Sequence, residues 1–173
     1  MLLEGKNVNL RLMERNDLPI LHEWINNPEF MSKYEELKQE SEAELEKTYD
    51  NLKDGQWFFV HKKDRTKIGY VAHYVADGKR ELGYFILPEE RQKGYANEAI
   101  QIMVDYLFLT KNIIRIQAQV DPENVASWKT LEKLGFQKEG MLRKAFYCRG
   151  KWKDDLIYSI LREEWKEPKI LTK

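Results

Sequence analysis

Apolar and polar side chains alternate through "VNLRLM" (Val8 to Met13), the pattern of a strand with one buried face. The stretch "NDLPILHEWI" that follows places Asp17 as an N-cap and Pro19 in a first turn, so a helix is predicted directly after the strand. From Asn27 to Gln39 there is no period, and an irregular segment is expected. Ser41-Glu42-Ala43-Glu44 then supplies a capping box for a second helix of weak amphipathicity. Three strands are predicted next: "QWFFVHK", "IGYVAHYVA" and, after an Asp77-Gly78 turn, "RELGYFIL", a meander that Pro88 stops. From Gly94 to Leu109, Ala96, Ala99, Ile100, Met103, Val104 and Leu107 recur at helical steps and form one apolar face. "IIRIQAQV" reads as a strand and "NVASWKTLEKLG" as a short helix ended by Gly135. "FQKEGMLRKAFYCRGKWKDDLIYSIL" reads as a long hairpin turning near Arg149-Gly150.

A strand, the Gly94 helix and another strand in succession imply a parallel pair joined by a right-handed crossover, whereas the short turns elsewhere imply antiparallel neighbours. The expected fold class is α/β, a mixed and mostly antiparallel sheet of about seven strands with a central parallel pair and helices on both faces. A ligand crevice should lie at the carboxyl end of the strand that feeds the Gly94 helix. A chain of 173 residues buries one core, so a single domain over 1–173 is expected. Its 42% hydrophobic and 12% aromatic content argues for a folded globule.

Lys plus Arg and Asp plus Glu both number 29, which leaves no net basic field for nucleic acid. Cys148 is the lone cysteine and the three histidines lack ligand spacing, so neither a disulfide nor a metal site is expected. Met1-Leu2-Leu3 runs straight into Glu4 and no apolar run is long enough for a bilayer. A cytoplasmic location with no membrane partner is therefore expected, for a monomer or a homodimer.

The stretch "PEERQKGYANEA" (Pro88 to Ala99) opens the Gly94 helix with Arg91 and Lys93 where helix starts favour acids. Unpaired amides, the helix dipole and a glycine that admits close approach make such a start a phosphate site. No G-x-x-x-x-G-K-[ST] or G-x-G-x-x-G is present, which argues against nucleotide hydrolysis and against a dinucleotide. A glycine-containing turn with solvated basic residues fits these residues equally well.

Arg91-Gln92-Lys93-Gly94-Tyr95-Ala96 resembles the [QR]-x-x-G-x-[GA] loop of the GNAT acetyltransferases. "DPENVASWKTLEKLGF" (Asp121 to Phe136) is similar to that family's later motif, an Asn opening a short helix that ends in Leu-Gly-Phe. "NLRLMERNDLPILHEW" and "GKWKDDLIYSILREEW" resemble the RimJ/RimL-type branch, so the likeness runs over nearly the whole chain. The resemblance implies a GNAT-like three-layer fold whose parallel pair is splayed, and acetyl-CoA as acetyl-donating cosubstrate. It implies that the backbone of Phe85, Ile86 and Leu87 pairs with the pantetheine arm. It further implies that Arg91 and the stretch Gln92, Lys93, Gly94, Tyr95, Ala96 and Asn97 hold the diphosphate, and that Asn124 bonds the cofactor near its reactive end. Helix capping is an equally good role for Asn124.

For the chemistry, the Ile86 amide is the expected oxyanion donor. Many family members carry an acid Tyr seven residues after the Asn, a position held here by Leu131. Ser127, matching a Ser proposed in RimL-like members, is the expected acid, with helix capping as its other role. The family carboxylate falls on Phe146, which leaves Glu81 as candidate base, directly or through water; a solvated strand-end glutamate fits Glu81 equally well, and an amine deprotonated by solvent needs no strong base. Asp154 and Asp155 are read as attracting a cation, pinning a loop or forming a plain exposed charged pair. Trp24, Phe30, Tyr34, Phe146 and Tyr147 are candidates for an aromatic acceptor wall, with core packing the better account of most of them; Glu29, Glu35 and Glu36 are candidates for attracting a cationic amine, with a solvated charged loop the better account. The function expected is acetyl transfer to a primary amine, first a protein N-terminal α-amine, next a polyamine or amino sugar. A non-catalytic CoA-binding module is the alternative of another class.

Overall fold

The computed structural model describes residues 2–171. Its strands are β1 (Leu2–Glu4), β2 (Val8–Leu12), β3 (Gln56–Lys62), β4 (Lys67–Ala76), β5 (Lys79–Ile86), β6 (Arg115–Val120), β7 (Gln137–Cys148) and β8 (Lys151–Leu161). Together they form one sheet in the order β1-β2-β3-β4-β5-β6-β8-β7. The helices are α1 (Leu18–Asn26), α2 (Glu42–Asp50), α3 (Tyr95–Thr110), α4 (Val125–Lys133) and α5 (Arg162–Trp165). The sheet has eight strands rather than about seven, because β1 adds three residues along β2. The one-turn α5 was also unanticipated. No helix among the described residues is long and apolar enough to cross a membrane.

Strand alternation divides the core into two layers. Leu10, Phe58, Leu82 and Ile86 meet Ile100, Met103 and Leu107 of α3 on one face. Met13, Phe59, Phe85 and Leu87 meet Leu18, Leu21 and Trp24 of α1, with Leu45 of α2, on the other. The consecutive Phe58 and Phe59 thus serve opposite layers. Asp17, expected to cap α1, caps an earlier turn instead. It accepts from the Glu14 amide at 2.9 Å and pairs with Arg11 and Lys67 at 2.7 and 3.2 Å.

All neighbouring strands are antiparallel except β5 and β6, whose parallel pairing covers only Arg80↔Ile116 and Glu81↔Gln117. Beyond that apex β5 stays paired with β4 to Ile86, and β6 with β8 to Val120, so the two strands splay. Beside the apex, Arg80 donates to the Asp54 carbonyl at 2.8 Å and to His73 Nδ1 at 3.1 Å, and also pairs with the Asp54 carboxylate. Because a guanidinium only donates, His73 Nδ1 is the acceptor and its Nε2 carries the hydrogen toward Gln56 Oε1, 3.2 Å away. Burial, then Arg80 and Lys111, accordingly push the His73 pKa down to about 4.

α3 is fixed at both ends. Its Glu98 accepts from the Asn7 amide (2.7 Å), the Asn7 side chain (2.8 Å) and the Val8 amide (3.3 Å). Gly5 lies so close that an added Cβ would fall 2.7 Å from the Val8 carbonyl oxygen. Arg162 donates to the carbonyls of Phe108, Lys111 and Ile113 at 2.7 to 2.9 Å, where the helix no longer supplies its own donors. Fully buried Asp105 accepts from Trp165 Nε1 at 2.9 Å and from the amides of Lys169, Ile170 and Leu171 at 2.7 to 3.0 Å. Asp105→Ala strands these donors and is expected to cost about 3 kcal/mol, read from the urea midpoint. A loss under about 1 kcal/mol would show that the carboxylate does not organise this end of the protein.

Candidate active site

The segment between β5 and α3 makes a short 3-10 turn at Pro88–Glu90 and then takes left-handed conformations at Gln92 (φ 62°) and Gly94 (φ 84°). Gly94 is the residue before α3, no side chain caps the helix, and a Cβ there would meet nothing within 4 Å. Among the described residues the amides from Gln92 to Asn97 have no hydrogen-bond partner, and the buried Asn97 Oδ1 has none either. Alternating left-handed residues at the positive end of a 16-residue helix make a concave anion cradle, and it fits a diphosphate. The basic side chains face elsewhere. Lys93 pairs with Glu90 at 2.8 Å, and Glu90 also takes Lys62 at 3.1 Å. Arg91 donates to the Ile86 carbonyl at 2.8 Å and the Phe30 carbonyl at 3.0 Å, lying over the Phe85 ring. Both residues therefore hold the loop in shape, and the anion-directed groups are backbone N–H.

The gap between β5 and β6 runs up to this cradle. The Leu87 amide bonds the Ile68 carbonyl on β4 at 2.9 Å, and ladder alternation turns the backbone groups of Tyr84 and Ile86 the opposite way, into the gap. The side chains of Phe85 and Leu87 lie in the α1 layer and that of Ile86 in the α3 layer. Asn124 caps α4, its Oδ1 accepting from the Ser127 amide at 3.3 Å. The Ser127 hydroxyl lies 2.6 Å from the hydroxyl of Tyr84, which reaches across from β5. Sequence reasoning missed Tyr84, whose signal was the period-two placement of Leu82, Tyr84 and Ile86 on one face. Burial raises its hydroxyl pKa to about 12, against the hydrogen bond with Ser127, so it stays protonated. Leu131, where a tyrosine was sought, is 0% exposed in the core.

On the opposite face, Glu81 is 5% exposed and its Oε1 accepts from Gln117 at 2.9 Å and Gln119 at 3.2 Å. Asp155 on β8 is 8% exposed; burial, then Asp121, Glu81 and Glu35, push its carboxyl up to about 6. The Glu35 carboxyl is raised by loss of water, by Glu36 and by Asp121. Lys153 is spent on Asp121 (2.6 Å) and Glu123 (2.8 Å). Glu35, Glu81 and Asp155 form no ion pair among the described residues. Asp154 pins the β7 irregularity by accepting from the Lys144 amide at 2.8 Å. Cys148 Sγ (3.3 Å) and Arg149 Nε (3.2 Å) hold the Glu35 carbonyl, seating the irregular 27–39 segment on the β7–β8 hairpin. Of the aromatic candidates, Trp24 takes the core role and Tyr147 lies at the surface. Trp24 packs on Phe59 and Phe85 in the core, and Tyr147 pairs with Trp152 on the hairpin surface.

Residues 7–137 match the acetyltransferase (GNAT) domain. The chain is 32% identical to the uncharacterized N-acetyltransferase p20 of Bacillus licheniformis, over 94% of this chain and 97% of that one. The crystal structure of spermidine N-acetyltransferase from Vibrio cholerae in complex with CoA and spermine is similar with TM-score 0.82 and 31% identity, covering 93% of this chain and 99% of that one. Ribosomal-protein-S5-alanine acetyltransferase from Vibrio fischeri is similar with TM-score 0.80 and 25% identity, covering 95% and 98%. A sheet splayed at one parallel pair, an open amide cradle at the head of α3 and likeness along nearly the whole chain agree: this protein belongs to the GNAT acetyltransferase family and is an acetyl-CoA-dependent N-acetyltransferase.

Proposed function

We propose that the acceptor is a small polycationic amine of the spermidine class. The observation that carries this reading is the group of Glu35, Glu81 and Asp155 on the acceptor face without a matching cation. Buried Glu81 and Asp155, with exposed Glu35 beside them, are uncompensated carboxylates that repel one another, and a ligand with several ammonium groups relieves that repulsion. A hydrogen-bonded ammonium contributes about 1.5 to 3 kcal/mol in such a setting. The relative crystallised with CoA and spermine supports the same class. A protein α-amine, the first expectation from the RimJ/RimL-type resemblance, becomes the second reading. It is favoured by the likeness to the S5-alanine acetyltransferase, but a peptide N-terminus brings one ammonium to three carboxylates. A non-catalytic CoA-binding module is set aside, since the chain lies within an enzyme family and Tyr84 supplies a phenol where Leu131 does not.

In this reading acetyl-CoA supplies the activated acetyl group. The amides of Gln92 to Asn97 bind its diphosphate, and the backbone of Tyr84 pairs with its arm. Asn124 caps α4 and its side-chain nitrogen, unpartnered among the described residues, faces the same ligand. The Ile86 N–H stabilises negative charge on the carbonyl oxygen. A primary ammonium with a pKa of about 10 is almost wholly protonated at neutral pH, so Glu81 takes its proton, directly or through water. Ser127 donates to the departing sulfur. Asp155 and Glu35 hold the remaining ammonium groups.

Gly94→Glu puts a side chain and a negative charge into the cradle. Acetyl-CoA should stabilise the native protein against heat and lose that effect in this variant; equal stabilisation of both would remove the diphosphate assignment. In a thiol-release assay across amines, spermidine should exceed an alanyl peptide by at least ~10-fold in kcat/KM, and a peptide preference would reverse the acceptor proposal. Asp155 adds a pH dependence. Its folded pKa of about 6 lies above its unfolded value, so its ionisation costs stability that is fully present below pH 4 and lost as pH rises through 6. Asp155→Asn should therefore gain about 2 kcal/mol at pH 8 and almost nothing at pH 4, while raising KM for spermidine at pH 8. Destabilisation at pH 8 would contradict the strained-carboxylate account.

A further inference from the structure

We propose that Tyr84 is a positioning residue for the departing thiolate, donating its hydroxyl hydrogen to Ser127 Oγ so that the serine hydroxyl hydrogen points at the sulfur. The inference rests on the cofactor reading above. It is suggested by a contact that neither the sequence motifs nor the family resemblance indicated. Tyr84 and Ser127 are 43 residues apart, on opposite sides of the splay, yet their oxygens lie 2.6 Å from each other. Two hydroxyls that close share one hydrogen, and the other is left for a third group. The Ser127 carbonyl is 3.4 Å from the Tyr84 oxygen, too far to compete with the shorter contact. No other partner of the serine hydroxyl occurs among the described residues. The remaining hydrogen is thus free for whatever occupies the gap.

The position within the strand supports the same direction. Tyr84 stands three residues past Glu81, the last register paired with β6, and its own backbone faces the gap. Its phenol crosses to the first turn of α4 beside Asn124, the helix that in many relatives carries the acid. Here Leu131 is sealed in the core. The hydroxyl that many family members place on α4 is thus provided by β5 and relayed through Ser127.

The balance of the step decides between proton transfer and hydrogen bonding. The amine nitrogen bonds to the carbonyl carbon, the C–S bond breaks, and its electron pair stays on sulfur. Complete transfer from Tyr84 through Ser127 would leave a phenolate whose acid has a pKa of about 12, in exchange for a thiol near about 8.5, uphill by more than ~10³. Burial is the main cause of that raised value, and Glu35 is the charged group acting on it from across the sheet. The pair therefore stabilises the thiolate as hydrogen-bond donors and remains protonated. Two protons leave the nitrogen in all: the first passes through Glu81 to water before attack, the surplus proton on the acylated nitrogen follows by the same route, and CoA departs as the thiolate.

The thiol of bound CoA reads this arrangement without turnover. Its ultraviolet thiolate absorbance, titrated against pH in the complex, should give a pKa about one unit below that of free CoA. Tyr84→Phe and Ser127→Ala should each return it to the free value, the double variant should go no further, and Ser127→Thr should retain the depression. The single variants should lower kcat ~10-fold with KM for acetyl-CoA within about twofold. A wild-type complex whose bound thiol titrates like free CoA would overturn the pair while leaving the cofactor assignment intact. A protein that binds no CoA would overturn both. A Tyr84→Phe effect that persists undiminished in the Ser127→Ala background would also overturn the relay, because Tyr84 would then act on its own.

Discussion

β5 and β6 share hydrogen bonds at only two registers, Arg80↔Ile116 and Glu81↔Gln117, and the rest of the active region depends on that brevity. Each strand is held straight by its other neighbour, β4 for one and β8 for the other, so neither can close the gap without breaking an antiparallel ladder. The apex is kept from sliding on both faces. Arg80 is tied to Asp54 and His73, while Glu81 holds the amides of Gln117 and Gln119. Backbone groups left unpaired at such an opening are costly unless a ligand or water satisfies them. The pantetheine arm has amide groups suited to that purpose.

The gap separates two kinds of chemistry. The α3 and α4 side offers an amide cradle, the Asn124 cap and the Tyr84–Ser127 hydroxyls, all suited to negative charge on diphosphate and sulfur. The other side offers Glu81, Asp155 and Glu35, suited to the positive charge of an amine. Strand alternation produces this division without any special device: Glu81 and Leu82, or Gln117 and Ala118, necessarily face opposite ways. The acceptor side carries the cost, since burial and mutual repulsion hold the Asp155 carboxyl up near 6 in the free protein. On the proposed reading a bound polycation would relax that strain, which would link specificity to stability.

Much of the fold was legible because its signals are local. Alternation marked β2, apolar and aromatic runs bounded by turn residues marked β3 to β5, the three-and-four spacing marked α3, and Ser41 with Glu44 caps α2 reciprocally as its sequence indicated. What escaped was short or non-local. β1 has three residues and α5 four, lengths at which periodicity carries no information. Asp17 had the right identity for an N-cap, but Arg11 and Lys67, brought near by β2 and β4, drew its carboxylate elsewhere. In the site, Gly94 and Asn124 were visible as motifs. The charges of Arg91 and Lys93 were visible, their partners Phe30 and Glu90 were not. Tyr84 escaped because its meaning lies in a partner on another element, and the carboxylate group because Glu35, Glu81 and Asp155 come from three distant segments.

Backbone amide hydrogen exchange, followed residue by residue with and without CoA, tests the central claim most directly. In the free protein the amides of Tyr84, Ile86 and Gln92 to Asn97 should exchange rapidly despite lying in or beside ordered elements. CoA should slow all of them together and leave the β4-facing amides of Gly83, Phe85 and Leu87 unchanged. Protection of the gap-facing amides already present in the free protein, or CoA-induced protection confined to another surface, would contradict the account.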